Sequence, residues 1–332
     1  MMDLDDLDDA TLVVGAPCSG KTRYALDALI AAMHRYGGER AVMAVSGRQV
    51  ADVLGDAVIR ELSAVSQARP VTTLPAVAFR MMTAVRSREG KPLPKLLNGA
   101  EQDVIIRRVL AAHTGHVERG DECDTCALLR TYFAVADWSG MIADDSADAF
   151  AGQFRDMLAR MNEIGAKPEF EDELIARAAS RGETVDAHRE RLRVQWRLAF
   201  ALRGEYDQAV RDAYPDQFRL DASRLMIDAT AAVDEAEEKD LPKLIIVDDF
   251  QDATLAGFDF LSALHNRGVR LLLVGNPDEA VQTFRGSYPE YLFNAAQSRM
   301  GARLVRLEPD HAADGTDRGA VASRVSHRRL LD

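Results

Sequence analysis

The residues Gly15, Ala16, Pro17, Cys18, Ser19, Gly20, Lys21 and Thr22 follow a short β-branched run, Thr11 to Val14, and open directly into a helical stretch from Lys21 to about Tyr36. This G-x-x-x-x-G-K-[ST] spacing between a buried strand and a helix requires the strand's carboxyl end to turn through a loop of inward-facing backbone N–H groups. Glycines let that backbone wrap an anion, and the helix N-terminus adds positive potential. In such a loop Lys21 reaches the β and γ phosphates of a nucleotide, and the Thr22 hydroxyl binds Mg²⁺. The bland alternative is a plain turn with an exposed lysine. Cys18 sits where no side chain is required and is read as filler.

The pattern around the loop is that of an α/β protein. Gly37 and Gly38 stop the first helix; a second apolar run, Ala41 to Val45, leads into an amphipathic helix ending near Val65; Val71 to Leu74 reads as a third strand. Strands alternating with helices indicate a parallel sheet. Lys91 to Leu97 reads as a Pro-containing connector. From Glu101 to about Lys239 almost everything is helical in period, with examples at Asp103–Ala112, Ala149–Ile164 and His188–Val210. The α/β pattern resumes at Lys243–Val247, with a helix around Leu255–His265, a strand Val269–Val274, a helix around Tyr288–Met300 and a strand Arg303–Leu307. The expected architecture is therefore a P-loop, RecA-like parallel-sheet domain over residues 1–97 and 222–332, with a large helical domain inserted at 98–221. Glu308 to Ala322 reads as a flexible loop.

Composition narrows the classes. At 332 residues, 47% apolar and 28% charged, with 22 Gly and 11 Pro, the chain is globular in make-up and long enough for about two domains. No apolar run approaches the ~20 residues of a membrane helix, and the acidic N-terminus lacks the basic start of a signal peptide, so a cytoplasmic protein with no membrane partner is expected. Three cysteines make a secreted disulfide framework a poor fit. A net charge of −12 argues against a surface that is wholly a nucleic-acid footprint, while leaving room for a local basic groove.

The run Leu244 to Val247 ends in Asp248, Asp249, Phe250, Gln251 and Asp252. Carboxylates at the end of a buried strand are costly unless a cation is near. An aspartate there can hold Mg²⁺, and its neighbour can orient or deprotonate an attacking water. Taken alone, the run also reads as an ordinary acidic strand-to-loop turn.

These residues resemble the first motor domain of the superfamily 1 DNA helicases, the UvrD/Rep group, and the long helical insertion looks most like the actinobacterial helicase-nuclease subunits of the AdnA/AddB kind. The phosphate loop matches in full, and Asp248–Asp252 is similar to the family's D-E-x-Q-D box. The resemblance implies ATP and Mg²⁺ as cofactors, with metal binding by Thr22 and Asp248, water activation by Asp249 and coupling by Gln251. Ala41 to Leu62 resembles a DNA-backbone motif. Thr72 to Phe79 resembles the T-x-H-x-x-A-F segment, whose threonine is Thr73. Gly275 to Gly286 is similar to the G-D-x-x-Q-x-I-Y-x-[FW]-R-G box, which places Phe284 as a base-stacking aromatic on single-stranded DNA. Ser326, His327 and Arg328 resemble the fourth box, whose arginine reaches the γ-phosphate.

Several positions depart from that pattern. The catalytic glutamate is Asp249, one methylene shorter, although some family members carry Asp there. The γ-phosphate-sensing glutamine falls at Glu279, whose charge opposes a phosphate. The histidine of T-x-H is Pro75, and no glutamine precedes the loop to recognise adenine, though Arg23 can pack on the base. The sequence stops soon after Arg328, so the second motor domain or a partner helicase-nuclease subunit is expected to come from elsewhere, and this chain alone is not expected to unwind DNA. The leading expectation is the ATP-hydrolysing N-terminal motor part of a UvrD-like helicase acting on single-stranded DNA in repair or recombination. The alternatives are a degenerate nucleotide- or DNA-binding scaffold subunit without turnover and a small-molecule P-loop kinase.

Outside these boxes, His113, His116, Cys123 and Cys126 give H-x-x-H followed by C-x-x-C, the four soft ligands that a structural zinc site needs. The connector is shorter than a usual finger loop, and a dithiol or an ordinary insertion loop, the blander reading, remain open. Three cysteines are too few for the relatives' four-cysteine iron–sulfur cluster. Trp138, Trp196 and Phe154 lie at helical positions suited to a core. Asp3–Asp9 reads as a solvated acidic arm and Glu235–Asp240 as a charged helix end.

Overall fold

The computed structural model describes residues 3–62, 69–134, 146–180, 186–280 and 288–308, together with Ser139. The chain divides into two compact units, residues 1–90 with 226–332, and residues 91–225. The strands are β1 (Ala10–Gly15), β2 (Ala41–Ala44), β3 (Val71–Thr72), β4 (Pro94–Leu96), β5 (Phe218–Leu220), β6 (Leu244–Val247), β7 (Arg270–Gly275) and β8 (Arg303–Leu307). The α-helices are α1 (Lys21–Tyr36), α2 (Arg48–Leu62), α3 (Leu74–Arg88), α4 (Gly99–Arg119), α5 (Asp124–Phe133), α6 (Ser146–Glu163), α7 (Glu171–Ser180), α8 (Asp186–Ala213), α9 (Leu225–Ala232), α10 (Leu255–Asn266) and α11 (Pro289–Met300).

The first unit is built on a sheet in the order β3-β2-β6-β7-β1-β8, and every pairing within it is parallel. Parallel strands need helical crossovers, which cover both faces of the sheet and explain why β6 is buried along its whole length. Val13, Met43, Ile246, Leu272 and Val274 join one core with Ala25, Ala28, Leu29 and Ala32 of α1. The alanines at three and four residue spacing let α1 lie close on the strands. Alternate strand residues such as Leu12, Ile245 and Leu273 are equally buried and face the opposite way.

The second unit packs around α8. Ile105, Ile106 and Leu110 of α4, Leu129 of α5, Phe154 and Leu158 of α6, and Leu198, Leu202 and Tyr206 of α8 form its core. α4 starts with a capping box: Asn98 accepts from the Glu101 N–H at 2.9 Å, and the Asn98 N–H donates to the Glu101 carboxylate at 2.9 Å. Phe154 is buried, and Trp196 packs on a smaller cluster with Met161 and Phe200; Trp138 lies outside the described residues. Among the described residues no helix is long and apolar enough to cross a membrane.

Four expectations need correction. The third strand stops at Thr72, because Leu74 already begins α3 and Pro75 takes the second helical position, where a missing N–H costs nothing. The Lys91–Leu97 connector contains β4, which pairs in parallel with β5 in a stretch whose period is almost entirely helical; strands of three residues leave no readable period. The acidic arm is anchored, since Leu4 and Leu7 are 3% and 4% exposed in the core beside α1. Glu235–Asp240 is no helix end: Val233–Glu235 and Glu238–Asp240 are two 3₁₀ turns, and Arg88 pairs with Glu237 at 3.4 Å and with Asp240. The Glu308–Ala322 loop falls almost wholly outside the described residues.

Leu12 is fully buried on β1, the interior strand between β7 and β8 that carries the glycine-rich loop. Leu12→Ala is expected to cost about 2–5 kcal/mol in chemical denaturation of the sheet unit; a loss below about 1 kcal/mol would contradict this packing.

Candidate functional site

Because β1, β6 and β7 run the same way, their carboxyl ends share one edge of the sheet. The register aligns Val14 with Gly275 and Val247 with Leu273. The segments Gly15–Thr22, Asp248–Gln251 and Asn276–Glu279 all emerge there.

The first segment turns as its sequence requires. Cys18 and Gly20 both take left-handed backbone, with φ of 62° and 80°, so Cys18 bears a conformational demand that the variable motif position concealed. A Cβ on Gly15 would meet Ser19 Oγ at 2.2 Å, which explains the first glycine. Lys21 folds back over the loop and donates to the Gly15 carbonyl at 2.8 Å and the Ala16 carbonyl at 2.9 Å. Its third partner is the Glu279 carboxylate at 3.2 Å. Pro17 follows Ala16 in the same turn, which Ser19 closes by donating its N–H to the Ala16 carbonyl at 3.1 Å. Ser19 Oγ is buried with no hydrogen-bond partner among the described residues.

The acidic segment is joined to the loop. Thr22 Oγ1 donates to Asp248 Oδ2 at 2.9 Å, and the Asp249 N–H donates to Asp248 Oδ1 at 3.2 Å. Burial pushes the Asp248 carboxyl above its usual range and Asp249's charge adds to this, while the Thr22 hydroxyl, the Asp249 N–H and the Lys21 ammonium oppose it. Asp249 takes left-handed backbone at φ 54°. Its carboxylate accepts from Ser46 at 3.4 Å and from the Gln251 amide at 3.2 Å. Gln251 Oε1 in turn accepts the Asn276 N–H at 3.0 Å, so one buried amide links the ends of β6 and β7. A Cβ on Gly275 would displace that Oε1 and crowd the Phe250 N–H and the Phe293 ring, both at 3.2 Å, so glycine here leaves room for the bridge. The Asn276 side chain accepts from the Asp278 N–H at 3.1 Å, and its Nδ2 is buried without a partner among the described residues.

Other candidates lie apart from this network or outside the description. Arg23 pairs with Asp27 at 2.8 Å and Glu61 at 3.1 Å on the exposed side of α1. Thr73 is the N-cap residue of α3, with its side chain making no cap hydrogen bond. Phe284 and Arg328 lie outside the described residues. Ser46 and Asn276 were not singled out from the sequence. Asn276 had a signal, a polar residue at the end of a buried apolar strand, whereas Ser46 is an ordinary loop serine until β2 is placed beside β6.

The donor set fits a nucleoside triphosphate with Mg²⁺: a glycine-required loop at a helix N-terminus, a half-buried lysine, an unpartnered buried hydroxyl in the cradle, and a threonine–aspartate pair. Fold and site thus define a P-loop α/β domain with a helical insertion. A family model described as an AAA domain matches residues 7–285. The chain belongs to that family, and its pattern is that of the N-terminal part of the UvrD/Rep-type superfamily 1 proteins. The chain is 22% identical over 83 residues to the ATP-dependent DNA helicase Rep of Buchnera aphidicola, and 25% identical over 84 residues to that of Salmonella typhimurium. These stretches cover 25% of this chain and 13% and 12% of the two relatives.

The raised Asp248 pKa sets a pH dependence. Stability associated with its protonated form is present below the ordinary carboxylate range and is lost as pH rises through the raised folded value. In chelator at neutral pH, Asp248→Asn is expected to be more stable than wild type by about 0.5–2 kcal/mol. The difference should close as pH falls into the carboxylate range, as thermal melts across pH would read. A destabilised variant at neutral pH would contradict the burial argument.

Proposed function

We propose that this chain is an ATP-binding and ATP-hydrolysing motor domain of the UvrD type that works on single-stranded DNA. The observation that carries the reading is the junction of the glycine-rich loop with the acidic strand end, made by Thr22 and Asp248 at 2.9 Å. The loop's backbone N–H groups and Lys21 bind the phosphates, with Lys21 exchanging its carbonyl and carboxylate partners for phosphate oxygens. Thr22 and Asp248 hold Mg²⁺, which when bound supplies charge neutralisation at the β and γ phosphates. Asp249, steadied by Ser46 and Gln251, orients a water and accepts its proton. Gln251, bonded to Asn276, carries the state of that carboxylate to the segment that leads on towards Phe284. We assign Arg23, once it exchanges Asp27 and Glu61 for the base, as an adenine contact, Thr73 and Phe284 to DNA, and Arg328 to the γ-phosphate. Unwinding then requires a second motor domain or partner subunit, and repair or recombination is the process we assign.

The ion pair between Lys21 and Glu279 favours a second reading, a subunit that binds nucleotide or DNA without turnover. Glu279 competes with phosphate for the same ammonium. Hydrolysis assayed with and without single-stranded DNA, alongside nucleotide affinity, separates the two. DNA-stimulated turnover that is lost in Lys21→Ala supports the motor; nucleotide binding without turnover supports the scaffold; absence of nucleotide binding contradicts the nucleotide site itself and with it the motor. Glu279→Gln is expected to tighten nucleotide binding about two- to fivefold, the equivalent of ~0.5–1 kcal/mol for a partly exposed pair. Unchanged affinity would show that Glu279 does not compete.

A further inference from the structure

The helical unit carries a second constellation that the nucleotide site does not use. His113 and His116 lie on the last turns of α4, Cys123 is the N-cap residue of α5, and Cys126 sits in the first turn of that helix. Gly120, in left-handed backbone at φ 69°, reverses the chain between them, and the Asp121 N–H closes the turn on the His116 carbonyl at 2.9 Å. One donor atom from each of the four side chains lies within 4.8 Å of the other three. Cys123 Sγ and Cys126 Sγ are 3.6 Å apart. His113 Nδ1 is 3.5 Å from Cys123 Sγ and 3.4 Å from Cys126 Sγ, and His116 Nδ1 is 3.8 Å from Cys126 Sγ.

These are close to the edges of a metal tetrahedron. With Zn–S near 2.3 Å and Zn–N near 2.0–2.1 Å, a tetrahedral site has S···S edges of about 3.8 Å and S···N edges of about 3.6 Å. The surroundings agree. His113 is buried, and its far nitrogen, Nε2, meets the Glu205 carboxylate of α8 at 2.5 Å, while Thr125 Oγ1 donates to the other oxygen of Glu205 at 2.7 Å. A carboxylate on the distal nitrogen is the usual way a ligating imidazole is held in one tautomer and orientation. Two sulfurs with two imidazole nitrogens select Zn²⁺ among common ions, and four protein ligands leave no open position for catalysis.

We propose that His113 Nδ1, His116 Nδ1, Cys123 Sγ and Cys126 Sγ bind one structural Zn²⁺, with Glu205 positioning His113. The ion ties the end of α4 to the start of α5 and, through Glu205, to α8. The site is independent of the nucleotide reading and stands or falls apart from it.

The test is metal analysis of the full chain purified under reducing conditions without chelator. About one zinc per chain is expected. Cys123→Ser and His116→Ala, which alter only partly buried ligands, should each lose most of it, whereas Cys18→Ser should keep it. Should the ligand variants fail to fold, the stripped wild-type chain titrated with Co²⁺ gives a thiolate charge-transfer band if the site forms. Glu205→Gln should keep the site but weaken Zn²⁺ about 10- to 100-fold in competition with a chromophoric chelator, an effect that lost packing alone would not produce. A chain that holds no zinc and gives no cobalt band after reduction, a chain with iron in place of zinc, or one whose Cys123 and Cys126 form a disulfide and bind no metal once reduced would overturn the proposal.

Discussion

Parallel strands begin at one edge of a sheet and end at the other, and everything at the candidate site follows from which loops that rule gathers together. β1 lies beside β7, and β7 beside β6, so three segments far apart in sequence leave the sheet at the same edge. Lys21 and Glu279 are 258 positions apart and Thr22 and Asp248 are 226 apart, yet both pairs are in hydrogen-bond contact. The register is held by apolar contacts such as Leu12, Ile246 and Leu272, which are wholly buried. A slip of one residue in a parallel pair would turn these side chains to the opposite face and separate the polar partners as well. The hydrophobic core and the chemistry therefore depend on the same alignment.

Within that frame the site's charges already compensate one another. Lys21 has three oxygen partners, Asp248 has a hydroxyl and an N–H, and Asp249 has Ser46 and Gln251. Apart from the unpartnered Ser19 hydroxyl, binding phosphate there exchanges existing contacts, so affinity is largely a difference between two satisfied arrangements. Glu279 makes that difference adjustable. A glutamine at this position would satisfy Lys21 more weakly and leave it freer for a phosphate, which makes residue 279 a control point for affinity. Gln251 has the complementary role, because its two ends touch Asp249 and the Asn276 N–H and so tie any shift of the carboxylate to β7.

Much of this was legible in the sequence, and the rest was hidden for physical reasons. The loop from Gly15 to Thr22 is visible because its spacing is fixed by anion geometry, and β6 shows as a continuous apolar run because both its faces are covered. Arg303–Leu307 has the same bounds as β8. By contrast β4 and β5 are too short to show a period, and Leu4 and Leu7 are single apolar residues among aspartates that only the packing against α1 reveals as anchors. The Lys21–Glu279 pair has a sequence signal, a glutamate where the box it resembles has glutamine, but the signal predicts repulsion of phosphate and not attraction of the lysine. The spacing of His113, His116, Cys123 and Cys126 shows four ligands, while their convergence needs the turn at Gly120. Glu205 lies on another helix, 92 positions from His113, and no local pattern marks it.

The central claim is that the loop after β1 and the acidic end of β6 act as one nucleotide site. Hydrogen–deuterium exchange with and without Mg²⁺ and a non-hydrolysable ATP analogue tests it most directly, because it reads both segments in one experiment. The account predicts slower exchange on addition of analogue across Gly15–Arg23 and Asp248–Asp252 together, with the helical unit unchanged around His113 and Cys126. Protection of neither segment, or of the first loop alone with Asp248–Asp252 unaffected, would contradict it.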